Sequence, residues 1–345
     1  MRASTLVRHL GLALVAGLAL FVISISLSPF DDLQLATMGY YFVALAGLTL
    51  LTGLNGQISL GHGALMGIGA YATAKLQSDL QWALVPALAA ATAITAGSGI
   101  LAGAAAARLR GPYLAGATLA LAVGLPGLTQ RFPHFLGASN GLTVPPPVPP
   151  QSLGATFPLE RWQAWIACAA ALIAFVLVAN LVRGRVGRSL RAVRDDEVAA
   201  ELSGLNVART QVLAFVVSAA CAGLAGGLLV VVTQLAAPGA FPLSLSVALL
   251  TGVLLGGLGS LAGAVWGAAA LVLIPTWTDD LSNALGLTTN VQANLSLALY
   301  GVVLIVVMLA APRGIQGAVE RLAGVARGIR HQRTRGAAPR KKEDG

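Results

Sequence analysis

The chain has 345 residues, of which 56% are hydrophobic and only 10% charged, and its mean hydropathy is +0.79. Average proteins carry roughly 25% charged residues, so this composition excludes a soluble domain and defines an all-α, polytopic membrane protein. The net charge of +9 does not indicate nucleic acid, because the basic residues sit beside apolar runs and in a C-terminal tail.

The chain opens with MRASTLVRHL, and an apolar run from Leu10 to Leu27 follows with no small-residue cleavage site, which reads as an uncleaved first span. Ten runs approach the roughly 20 residues needed to cross a bilayer. They lie near 10–28, 33–54, 58–75, 82–107, 112–130, 162–182, 211–234, 243–258, 260–275 and 294–311. Several are short and broken by glycine, so the expectation is about eight to ten transmembrane helices. With ten spans and the N-terminus inside, only Lys75, Arg131 and Arg161 of the 22 Lys and Arg fall on the outer face. That asymmetry satisfies the positive-inside rule and puts both termini in the cytoplasm.

The second and third runs meet in GLNGQISLGHGALMGIGAYATA, Gly53 to Ala74. Polar Asn55, Gln57, Ser59 and His62 are interleaved there with glycines, which permit turns and close backbone approach. Two readings stand. The stretch is either a tight turn between spans or a broken, re-entrant segment lining a translocation path. Non-helical backbone at membrane depth survives only against protein or water. Glycines also recur four apart, at Gly63 and Gly67, Gly99 and Gly103, Gly223 and Gly227, Gly252 and Gly256, and Gly259, Gly263 and Gly267. Such stripes let helices approach closely, and packing within the chain is the simpler use of them. Arg108 and Arg110 sit at an inside boundary, where lipid headgroups lie. Residues 131–161 form the largest external loop, stiffened by PPPVPP. It is a spacer or part of a platform for an external partner.

Charges crowd together in the middle of the chain: Arg188, Arg191, Arg194, Asp195, Asp196, Glu197, Glu201 and Arg209. Each would cost about 2.5–3.5 kcal/mol or more in hydrocarbon. Residues 183–210 are therefore a cytoplasmic loop, and it carries a helix of its own. Ser189 after Gly187 suits its N-cap, Ala192, Ala199 and Ala200 favour helix, Gly204 suits a left-handed stop, and Arg191 can pair with Asp195 four residues on. The helix keeps Leu190, Val193, Leu202 and Leu205 as apolar residues with no bilayer around them. It is either a solvated loop or a docking helix for a soluble partner.

A second glycine-broken junction follows at Gly256, Gly257, Gly259 and Ser260. Residues 276–290, with Trp277, Asp279 and Asp280, read as an outer loop. After Pro312 a helix is expected from Ile315 to Arg330, and then the basic run RKKEDG, attracted to anionic lipid. The domains are thus a permease domain, 1–312, and a basic cytoplasmic tail, 313–345. Cys168 and Cys221 lie in apolar segments and read as small core residues. No nucleotide-binding loop, metal-protease motif or buried carboxylate pair appears. Ion-coupled carriers need such charges, so a pore driven by an external motor fits better than a proton-coupled carrier or an intramembrane enzyme, and a stand-alone facilitator is the second reading.

The ordered motifs resemble the permease subunit of branched-chain amino acid ATP-binding-cassette importers, of the LivM type. They are GLNGQISLGHGALMGIGAY (Gly53–Tyr71), RLRGPYLAGATLAL (Arg108–Leu121), SNGLT (Ser139–Thr143), GRSLRAVRDDEVAAELSGLNV (Gly187–Val207), LAFVVSAACAGLAGGL (Leu213–Leu228), VLLGGLGSLAGAVWGA (Val253–Ala268) and PRGIQG (Pro312–Gly317). The resemblance covers about Leu33 to Gly317. It implies a bacterial plasma (inner) membrane protein with no cofactor of its own, ATP being bound by two ATPase subunits. It also implies a second homologous permease and an external solute-binding protein. Residues 188–206 would be the ATPase-coupling segment, carried by Arg188, Arg191, Arg194, Asp195, Glu197, Ala200 and Gly204. The translocation path would run by Asn55, Gln57, Ser59, His62, Gly256 and Gly259. Where importers of this class carry a leading Glu, this chain has Val198, and no Ile-x-Leu-Pro follows. Urea and short-amide permeases share the fold, so they are the alternative for the substrate.

Overall fold

The computed structural model describes residues 2–109, 112–154, 156–286, 289–311 and 314–322. Each of the ten apolar runs becomes a helix. These are α1 (Arg2–Ser26), α2 (Pro29–Leu48), α3 (His62–Ser78), α4 (Leu84–Ala106) and α5 (Pro112–Arg131); a single turn, α6 (Pro133–Leu136), precedes α7 (Leu159–Arg183). The charged stretch forms α8 (Arg185–Asp195) and α9 (Glu197–Leu202). The chain continues as α10 (Val207–Thr233), α11 (Leu243–Gly256), α12 (Leu261–Ala284) and α13 (Thr289–Ala310). Seven helices among the described residues are long and apolar enough to cross a membrane: α1, α2 with its extension to Leu54, α4, α7, α10, α11 with the turn before it, and α12. Helices of this length and composition make a multi-pass membrane protein. Among the described residues the only strand pairing is antiparallel, Leu142–Thr143 (β1) against Leu235–Ala236 (β2). It ties the 131–161 loop to the end of α10.

α10 is the axis of the bundle and packs on α2, α3 and α4. Small residues make this possible, since helices in lipid associate through close backbone packing. Gly69 of α3 lies against the Gly223 backbone, and Gly226 lies against the Met66 carbonyl. A Cβ on Gly99 would sit 2.6 Å from the Ala219 Cβ, and one on Gly47 2.6 Å from the Cys221 Cβ. The other glycine pairs read from the sequence also face neighbours within this chain: Gly67 meets Leu125 and Phe241, Gly103 meets Val212, and Gly267 meets Gly252. α1 is mostly exposed, with Leu14, Val15 and Leu18 on its outer face. It is held to α7 by His9 Nδ1 against Asn180 Oδ1 (3.0 Å) and by Phe21 on Trp165.

Three boundaries differ from the sequence expectation. The third span starts at His62, because residues 56–61 are not helical. Residues 276–284 are no loop, for α12 runs on through Trp277, Asp279 and Asp280 to Ala284. The charged segment is two helices rather than one. Asp196 breaks it, leaving α8 with an extended backbone, and its carboxylate caps α9 by accepting from Val198 N (2.9 Å) and Ala199 N (3.0 Å). Ser189 is therefore interior to α8, where its Oγ donates to Arg185 O, and Gly187 packs on the Val182 carbonyl. Residues 314–322 are helical, as expected for the start of the tail. Arg110, the rest of the tail helix and RKKEDG lie outside the described residues.

Candidate functional site: two broken junctions under a charged segment

α2 does not end as an ordinary α-helix. From Thr49 to Leu54 it widens into a π-helix, a form that recurs at functional sites. Asn55 N–H donates to Leu50 O, and Gln57 N–H donates to Leu51 O (3.2 Å). Between them Gly56 turns in the left-handed region, at φ +76°, which costs glycine nothing. The chain then runs without helix to Gly61 and starts α3 at His62. His62 Nε2 donates to Ala44 O (3.0 Å). Ala44 lies ten residues before Leu54, roughly 15 Å up the helix at 1.5 Å per residue. So residues 56–61 re-enter the bundle, and α3 begins deep inside it. Leu60 N–H donates to Thr118 Oγ1 and Gly63 N–H to Ser246 Oγ (both 3.0 Å), so α5 and α11 fix this segment.

The polar side chains of the re-entrant segment are buried: Asn55, Gln57, Ser59 and His62 are all at most 8% exposed. Among the described residues, Asn55 Nδ2 and Oδ1, Gln57 Oε1 and His62 Nδ1 have no hydrogen-bond partner. An unmet buried polar group costs about 1–3 kcal/mol. A row of them is expensive unless a polar solute or water completes it.

The second junction meets the first. Gly257 (φ +119°) and Gly259 (φ +80°) break the chain between α11 and α12, and Ser260 Oγ caps α12 at Gly263 N (3.3 Å). Gly53 lies directly on the Gly259 backbone, Gly256 lies on the Gly263 carbonyl, and Gly314 approaches the Gly257 Cα. Gly314 of the PRGIQG motif thus closes on the same spot.

The charged segment covers this end of the bundle. Leu190 (0% exposed) and Val193 (2%) seat α8 on it, and Ala200 seats α9. Val198 and Leu202 point outward, 67% and 85% exposed. Arg194 Nη1 donates to Gly53 O (2.8 Å), while its Nε and Nη2 bond the Asp195 carboxylate. The expected Arg191–Asp195 pair is not formed, and Arg191 Nη2 donates to Val182 O instead (3.3 Å). Glu197 Oε1 accepts from Gln211 Nε2 (2.9 Å), and Gly204 (φ +82°) ends α9 as read from the sequence. Asn206 Oδ1 caps α10 at Arg209 N (2.9 Å). That cap was readable, because Asn stands just before an apolar run. A cavity of about 540 Å3 joins the two regions, lined by Asn55, Gln57, Arg194, Asp195 and Glu197 among others. Arg188 is exposed and stands apart from it, and Ser59 and His62 lie deeper in the bundle.

At the opposite end Ser24 Oγ donates to Asp32 Oδ1 (2.6 Å), Arg161 Nε donates to Asp32 Oδ2 (3.1 Å) and Arg161 Nη2 to Leu27 O (3.1 Å). At the end of α3, Lys75 Nζ donates to Asp79 (2.6 Å), which holds the Asp79 carboxyl below its usual range, and the same Nζ lies 4.5 Å over the Phe135 ring.

The family model described as "Branched-chain amino acid transport system / permease component" matches residues 31–308, and the chain belongs to that family. It is 30% identical over 284 residues to the high-affinity branched-chain amino acid transport system permease protein LivM of Salmonella typhimurium, covering 74% of this chain and 66% of that one. It is 30% identical over 265 residues to LivM of Escherichia coli K12, covering 70% and 62%. The LivH permease protein of the same strain is 28% identical over 300 residues, covering 82% and 94%. The chain thus spans about two thirds of the length of the LivM relatives it matches. No solved structure matches it.

Proposed function

We propose that this chain is one pore-forming half of an ATP-binding-cassette importer in a bacterial plasma membrane, moving branched-chain amino acids inward. It hydrolyses nothing itself, and ATP is bound and split by two ATPase subunits docked on α8 and α9 at the cytoplasmic face. The observation that carries this reading is the Arg194–Gly53 bond, which joins an exposed, charged segment to a re-entrant segment with unmet polar groups. Exposed Val198 and Leu202 give the docking partner an apolar foothold. A second, related permease completes the path. Gly116, Gly124 and Gly127 of α5 face open space, which supports a helix of that subunit against them, and similarity to both LivM and LivH supports a paired arrangement. An external solute-binding protein delivers the solute at the β1–β2 end. Both termini lie in the cytoplasm with α8 and α9. Asn55, Gln57, Ser59 and His62, with backbone groups of both junctions near Gly256 and Gly259, meet the polar ends of the solute.

Purification from native membrane in mild detergent, with mass spectrometry of the companions, tests this. Two ATPase subunits and a second permease are expected, and their solute-binding protein should bind leucine and not urea. A chain that purifies alone, or a receptor specific for urea, contradicts the proposal.

A further inference from the structure

A helix leaves its last carbonyls without intrahelical partners. At the end of α2 the π turn uses Leu50 O and Leu51 O. Two residues further on, Gly53 O is met from a segment 141 residues away, by Arg194 of α8. The whole side chain fits this end. A Cβ on Gly56 would come within 2.8 Å of Arg194 Cγ, so the Arg194 stem lies across Gly56 while the guanidinium reaches Gly53. The remaining donors grip Asp195 on its own helix. A cation also suits the negative end of a helix.

We infer that Arg194 is the positioning residue through which motion of α8 and α9 reaches the translocation path, by capping α2 from outside. The inference rests on the reading of α8 and α9 as the docking segment. α8 pulls on Gly53 through a charged, short hydrogen bond, and Gly53 bears on the Gly259 backbone, so a single displacement moves both junctions. Asn55 and Gln57, two and four residues beyond Gly53, move with it. The π turn supplies the slack, since a register shift there alters the chain after it without unfolding α2.

The test is the whole transporter in proteoliposomes with its binding protein inside the assay, comparing wild type, Arg194→Ala and Arg194→Lys. Co-purified ATPase, ATP hydrolysis and solute uptake are all measured. Arg194→Ala is expected to keep the ATPase subunits and their hydrolysis while solute moved per ATP falls roughly tenfold. Arg194→Lys, which keeps one donor, is expected to recover part of that loss. In hydrogen exchange, amides 49–57 should exchange faster in Arg194→Ala while those of α10 stay as in wild type. Loss of the ATPase subunits would make Arg194 a docking contact and overturn the inference. An unchanged coupling ratio, or unchanged exchange at 49–57, would overturn it too. A wild-type complex without ATP-driven uptake would instead refute the importer reading.

Discussion

Gly53 and Gly259 meet backbone to backbone: a Cβ on Gly53 would come within 2.8 Å of the Gly259 Cα and closer still to its amide nitrogen. Neither partner is a flexible side chain that can step aside. Gly53→Ala must therefore push the two junctions apart, an overpacking that costs about 1–3 kcal/mol. The variant is expected to insert normally and to lose most uptake. Gly97→Ala, with nothing within 4 Å, is the control and should transport like wild type. Radiolabelled uptake beside membrane abundance reads both.

The bundle axis makes a stability prediction. Gly226 of α10 lies on the Met66 carbonyl, so Gly226→Ala forces α10 from α3. A lowered Tm in detergent is expected, by an amount matching about 1–3 kcal/mol. An unchanged Tm would mean that this contact is looser than described.

Asp32 is fully buried, and Arg161 is its charged partner. Removing one member of such a pair leaves a buried charge and typically costs about 3–5 kcal/mol. Arg161→Ala is expected to lower Tm more than any exposed substitution and to loosen α1, seen as new protease cleavage near residues 24–32. Asp32→Asn in the same background should restore part of the loss, because the uncompensated charge is gone.

The proposed docking role of α8 and α9 gives a functional prediction. Gly204 holds φ +82°, which proline, fixed near −65°, cannot adopt. Gly204→Pro, or Asp195→Lys with Glu197→Lys, should abolish uptake while insertion is kept. Asp196→Ala removes only the cap of α9, about 1 kcal/mol, and should weaken uptake partially. Normal uptake in Gly204→Pro would remove α8 and α9 from any coupling role.

The ten apolar runs were legible as helices, and among the described residues seven of those helices are long and apolar enough to cross a membrane. Their ends were less legible. Residues 58–61 are apolar enough to extend a span, yet they are not helical, and Leu60 N–H donates to Thr118 Oγ1 of α5 instead of to a carbonyl of its own turn. Asp279 and Asp280 read as loop, yet α12 continues through both to Ala284, since a charge alone does not end a helix. The break at Asp196 was hidden because Asp is tolerated in a helix and favoured at a cap alike. The polar residues of the re-entrant segment and the charged loop stood out individually. Their convergence did not, since Gly53, Arg194 and Gly259 are brought together only by tertiary packing, and glycine and arginine spacing along the chain carries no trace of it.

In the proposed function this chain forms a path opened by ATP-driven motion at the face of α8 and α9. ATP-dependent accumulation of labelled leucine in liposomes holding the complete complex tests it most directly. Uptake is expected to need ATP and the solute-binding protein together, and to fail in Gly53→Ala. Leucine flux through this chain alone, without ATP, would contradict it.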